Sequence, residues 1–206
     1  MTSSKIVLPT LAAGASAASV GGYMYASSGK SKEITILDKV KESLKKNHRI
    51  LTSKDDVAWQ KFKEVYKAAT GKGISGVSEE QISNWCEVTL KEEFDQEKYD
   101  KAEEWCVVYD LSLKESIGKS LLPASGADEK WKKAWDKFSS GNDSSEDLKL
   151  SDEALIGNSK PSDSEKGGSA LNTWCTSKYE MKMYELGALD LAKKVEKWCN
   201  EEAGNG

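Results

Sequence analysis

Every cysteine in this chain directly follows a tryptophan. Trp85-Cys86 is answered by Trp105-Cys106, and Trp174-Cys175 by Trp198-Cys199. The two cysteines are 20 residues apart in the first set and 24 in the second. Chance seldom places every Cys after a Trp, so the pattern points to an internal duplication. The likeness extends upstream, where Trp59 precedes Tyr66 by seven residues and Trp131 precedes Phe138 by the same step. The difference of four residues between the Cys spacings is close to one helical turn of about 3.6 residues. An insertion of that size leaves both cysteines on inward faces.

Divided this way, 206 residues give two units of about 70 residues each, near the lower limit for an independent core. Only three prolines interrupt a chain rich in Ala, Leu, Glu and Lys, and no alternating run argues for a sheet. The expected fold is all-α: an N-terminal membrane-anchor helix followed by two tandem three-helix repeats. Residues 1–29 form the anchor or signal segment, and 30–51 a juxtamembrane amphipathic helix with Ile34, Leu37, Val40 and Leu44 as its stripe. Repeat 1 covers 52–118 and repeat 2 covers 124–200. Within repeat 2, residues 139–170 hold nine serines and four glycines, with seven acidic residues against three lysines. Such a composition favours a disordered acidic loop.

Four cysteines allow three pairings. The duplication selects Cys86 with Cys106 and Cys175 with Cys199, one disulfide inside each repeat. The competing reading is four reduced, buried thiols acting as small apolar residues.

Between Ile6 and Ala26 the chain carries no charge. As a helix, those residues span about 31 Å, against a hydrocarbon core of about 30 Å. An uncleaved anchor through residues 6–26 is the favoured reading. A cleaved signal ending near Ala15-Ser16-Ala17 and a soluble tail also fit. Lys30, Lys32, Lys39, Lys41, Lys45, Lys46 and Arg49 all follow the apolar run, while only Lys5 precedes it. That asymmetry favours a cytoplasmic globular part, whereas paired cysteines favour an oxidising compartment.

Little in the sequence points to catalysis. There is no Cys-x-x-Cys pair for zinc, no glycine-rich phosphate loop, and a single histidine, His48. No catalytic residue, cofactor or metal ligand is therefore expected. A net charge of −4 and a single arginine, Arg49, argue against a nucleic-acid partner. The tryptophans read mainly as core, with Trp105 and Trp198 as the candidate partner-contact aromatics. Asn142-Asp143-Ser144 forms a glycosylation sequon.

A family resemblance follows from these residues. An Ala/Gly/Ser-rich apolar segment precedes a Lys-rich chain in which Glu103-Glu104-Trp105-Cys106 is followed by Leu113-Lys114-Glu115-Ser116-Ile117 and then Asp128-Glu129-Lys130-Trp131. This resembles the large paralogous families of short hypothetical proteins in haemotropic mycoplasmas. The resemblance implies a cell-surface or membrane-associated protein, serving antigenic display or contact with a host protein. It supplies no catalytic or binding residues. The alternative is a cytoplasm-facing, membrane-tethered scaffold with reduced cysteines.

Overall fold

The computed structural model describes residues 33–205, leaving out 70, 119 and 159. The apolar segment 6–26, and with it the anchor or signal region 1–29, lies outside the described residues. Among the described residues no helix is long and apolar enough to cross a membrane.

The chain is mostly helical. In order come α1 (Ile36–Ser43), β1 (His48–Ile50), α2 (Trp59–Ala68), α3 (Ile82–Thr89), α4 (Gln96–Trp105) and β2 (Val107–Tyr109). Then follow α5 (Leu113–Ile117), α6 (Asp128–Gly141), a 3-10 turn (Glu146–Leu148), α7 (Glu153–Ile156), α8 (Ser164–Tyr179), α9 (Ala188–Trp198) and α10 (Glu201–Asn205). The purely helical expectation needs one correction. β1 and β2 form an antiparallel ribbon with His48 opposite Tyr109, Arg49 opposite Val108 and Ile50 opposite Val107. The helical spacing of Tyr99, Ala102, Cys106, Tyr109 and Leu113 puts Val107-Val108-Tyr109 on a continuing helical seam. Its β-branched and aromatic side chains suit a paired strand better, and Asp110 beyond it donates its N–H to the Asn47 carbonyl at 2.9 Å.

Within the expected juxtamembrane helix 30–51, the described residues from 33 on are not one continuous helix: α1 ends at Ser43 and β1 follows. Thr35 caps α1 through a capping box with Asp38. Ile36 and Val40 are buried in the same apolar cluster as Trp59, Ile82 and Cys86, while Ile34 and Leu44 are exposed. α1 packs on α4, and Lys41, Lys45 and Lys46 are exposed.

Buried apolar residues fall into two clusters. One runs from Ile36 to Val108 and the other from Leu113 to Ala203. Several contacts recur at matching places in the two halves. The Leu51 N–H donates to the Cys106 carbonyl at 2.8 Å, and the Leu122 N–H to the Cys199 carbonyl at 2.9 Å. The Trp59 indole donates to the Ser53 carbonyl at 3.0 Å, and the Trp131 indole to the Pro123 carbonyl at 2.9 Å. Tyr66 meets Trp105 edge-on at 4.7 Å, and Phe138 meets Trp198 edge-on at 5.3 Å. A capped residue, Thr35 or Ser112, bridges the position seven after the first cysteine of its half, Glu93 or Lys182.

Residues 139–170 are not a disordered loop. α6 runs to Gly141, α8 starts at Ser164, and Leu150 and Leu155 are buried between them. The side chain of Asn142 holds the segment at both ends of one amide. Its Nδ2 donates to the Leu150 carbonyl at 3.0 Å, and its Oδ1 accepts from the Leu150 N–H at 2.8 Å. Two of the glycines serve close packing rather than looseness. A Cβ at Gly168 would lie 2.9 Å from the Lys132 backbone nitrogen, and one at Gly167 would lie 2.1 Å from the Trp135 ring. α8 can lie against α6 only because those Cβ atoms are missing.

Asn142 is 4% exposed. Its amide is committed to Leu150, so the sequon is expected to stay unmodified even where glycosylation operates. Mass spectrometry of protein made in a glycosylating host checks this. Asn142→Ala orphans two buried backbone groups and is expected to cost about 1–3 kcal/mol in urea unfolding.

Candidate functional site

The cysteines are all fully buried and paired, Cys86 with Cys106 and Cys175 with Cys199. The first bond joins α3 to the end of α4, and the second joins α8 to the end of α9. Their Cα atoms are 5.6 and 5.8 Å apart.

Trp105 and Trp198 do not present a surface. Trp105 is 5% exposed and Trp198 is 2% exposed. A residue next to an inward cysteine need not face outward. Here both rings close over the preceding aromatic of their half, Tyr66 and Phe138. They differ in one respect. The Trp198 indole donates to the Leu148 carbonyl at 3.0 Å. Among the described residues, Trp105 Nε1 is the buried side-chain nitrogen or oxygen with no hydrogen-bond partner.

Three of the surface concavities bear on function. The first, of about 260 Å³, is lined by Ser43, His48, Glu103 and Tyr109, among others. Ser43 and then Tyr99 hydrogen-bond to Glu103 and hold its carboxyl below the usual range. His48 takes no part in that contact. Its Nδ1 lies 3.0 Å from the Lys46 carbonyl, and its ring packs 5.1 Å from Tyr109. The three side chains do not form a nucleophile relay, which needs the hydroxyl on the imidazole. Among the described residues no group of three or more His, Cys, Asp or Glu is placed to hold a metal ion.

The second concavity, of about 460 Å³, lies along α6 and α9 and is lined by Lys137, Lys193, Lys197 and Leu148. Lys197 lies over the Trp198 ring at 4.7 Å and reaches the Ser145 hydroxyl at 2.9 Å. The third, of about 440 Å³, is formed where the α8–α9 connection meets α2, α4 and β2. Val65, Val107, Leu186 and Leu189 give it an apolar surface. Leu186 is 54% exposed and Leu189 is 69% exposed. Helical spacing with Ala192, Val195 and Cys199 predicts that Leu189 faces inward. It sits instead in the first turn of α9, beside the left-handed Gly187 that redirects the chain.

Beside this groove an ion cluster spans the two halves. Arg49 donates to Asp110 at 2.7 Å and also to Asp56, and Lys182 lies 3.3 Å from Asp110. Burial works to raise the Asp110 carboxyl, but the hydrogen bonds and charges of Arg49 and Lys182 outweigh it and hold the group below its ordinary range. A depressed carboxylate stabilises the fold above its unfolded value of about 3.9 and loses that contribution as pH falls through the folded value. Asp110→Asn is therefore expected to flatten the acid limb of Tm against pH, with little change of slope above pH ~5.

No protein-family model matches the chain, and no curated protein or solved structure matches it.

Proposed function

We propose that this protein is a binding and display scaffold, anchored through residues 6–26, that presents two disulfide-stapled helical repeats outside the cell. The observation that carries this reading is the pair of buried disulfides. Bonds of this kind persist in oxidising compartments, and thiols in reducing ones stay free. In this reading the duplicated hydrogen bonds and ring contacts mark two copies of one unit: a short capped helix, an extended segment, a Trp helix and a Cys-linked helix pair. The repeat frame is then about 35–110 and 112–205, shifted from boundaries at 52 and 124. The resemblance to surface-associated mycoplasma proteins supports the same role, with a host or cell-surface protein as partner.

The second reading is a cytoplasm-facing tethered scaffold. The lysines that follow the apolar run favour it. Labelling intact native cells with a membrane-impermeant amine reagent separates the two. Exposed lysines such as Lys61, Lys91 and Lys193 should label on whole cells if the first reading holds. Labelling that appears only after lysis would replace it with the second.

A further inference from the structure

We propose that the groove between β2 and the α8–α9 connection binds an extended, lysine-rich segment of a partner polypeptide, which adds to the free edge of β2. This rests on the reading of the chain as a binding scaffold, and it names the site and the chemistry of its partner.

The second half carries an insertion at the matching place. There the segment between α6 and α8 enters the lysine-lined groove at Leu148, whose carbonyl accepts the Trp198 indole N–H. Asp143, Glu146 and Asp147 precede Leu148 in sequence. The first half has no such insertion, since only residues 69–81 separate α2 from α3. Correspondingly, Trp105 Nε1 has no acceptor.

The lysines of that groove are missing at the matching positions of the first half. Counting from Trp59 and Trp131, Val65 stands where Lys137 does; counting back from Cys106 and Cys199, Asp100 and Glu104 stand where Lys193 and Lys197 do. The rim of the first groove carries Glu104, Glu185 and Asp190, and no lysine or arginine lines it among the described residues. Lys101 and Lys193 reach Glu104 and Asp190 only through exposed contacts within their own helices. Such contacts are worth little, and an incoming cation replaces them readily.

Backbone geometry favours an extended occupant. The bonds from the Leu51 N–H to the Cys106 carbonyl and from the Asp110 N–H to the Asn47 carbonyl flank the ribbon. With Arg49 opposite Val108, Val107 and Tyr109 turn their N–H and C=O groups away from β1. Both residues line the groove. A free edge of this kind accepts an added strand, with alternate side chains giving specificity. Valine-like side chains then cover Val65 and Leu189, and alternate lysines meet the carboxylates. Trp105 packs on Phe62, itself a lining residue, with ring centroids 6.4 Å apart.

The test is an NMR titration of the oxidised protein with a synthetic ten-residue peptide alternating lysine and valine. A glutamate–valine peptide is the control. The expected result is saturable shifts at the Val107 and Tyr109 amides and the Trp105 indole, with exchange of those amides slowed about tenfold or more. Leu189→Glu and Glu104→Lys change exposed side chains and should abolish the response, while dispersed core resonances report an intact fold. No saturable shift, an equal response to the control peptide, or indifference to both variants would each overturn the proposal. The same protection in protein alone, rising with its concentration, would make the occupant a second copy and overturn the assignment to a foreign partner. Amine labelling of intact cells tests the scaffold reading by itself, so a silent groove on a labelled protein removes the groove alone.

Discussion

Trp131→Ala is expected to lower stability by about 3–5 kcal/mol, the range for truncating a large buried aromatic. Trp131 is 1% exposed and sits in the second apolar cluster with Leu122, Ala134 and Phe138. Its indole also secures the entry strand by donating to the Pro123 carbonyl at 2.9 Å. The substitution therefore opens a cavity and orphans an acceptor at once. Trp131→Phe retains much of the packing and loses the hydrogen bond, so it should cost less, about 1–3 kcal/mol. Urea unfolding followed by far-ultraviolet circular dichroism measures both. Equal losses for the two variants would show that the hydrogen bond, and not the packing, dominates.

Removing either disulfide is the second large effect. The bonds close loops with sequence separations of 20 and 24 residues. On the chain-entropy account each is worth about 3 kcal/mol, acting mainly on the unfolded chain. That is a large share of the 5–15 kcal/mol typical of a whole domain. Cys86→Ala with Cys106→Ala, and Cys175→Ala with Cys199→Ala, are each expected to lower the free energy of unfolding by that amount, read from urea unfolding. The four sulfurs are fully buried, so reduction of the native protein by a thiol reagent should be slow and should accelerate with added urea. Rapid reduction without denaturant would contradict the placement of these cysteines.

The Trp-Cys spacing made the disulfide pairs and the two inward stripes legible. Cys86, Cys106, Cys175 and Cys199 could be paired because each half repeats one pattern, and Trp59 and Trp131 announced their helices by the aromatic seven residues on. The ribbon was hidden for a different reason. Three-residue strands carry no readable period, and His48–Ile50 finds Val107–Tyr109 only through contacts nearly sixty residues away. The segment after α6 misled because its serines and glycines suggest disorder. Its order depends on one buried amide, Asn142, and on two glycines that admit a helix, and neither signal has a sequence signature of its own. The groove was illegible for a third reason. It forms where the α8–α9 connection crosses elements of the other half, so no local pattern marks Leu186 and Leu189 as exposed.

As proposed, the disulfide-stapled scaffold is held in an oxidising compartment. The most direct test is the thiol state of the protein in its native cells, alkylated before lysis and read by mass spectrometry. The account predicts unmodified cysteines joined as Cys86–Cys106 and Cys175–Cys199. Four alkylated cysteines would contradict it and would move the globular part, and the search for its partner, to the cytoplasmic side.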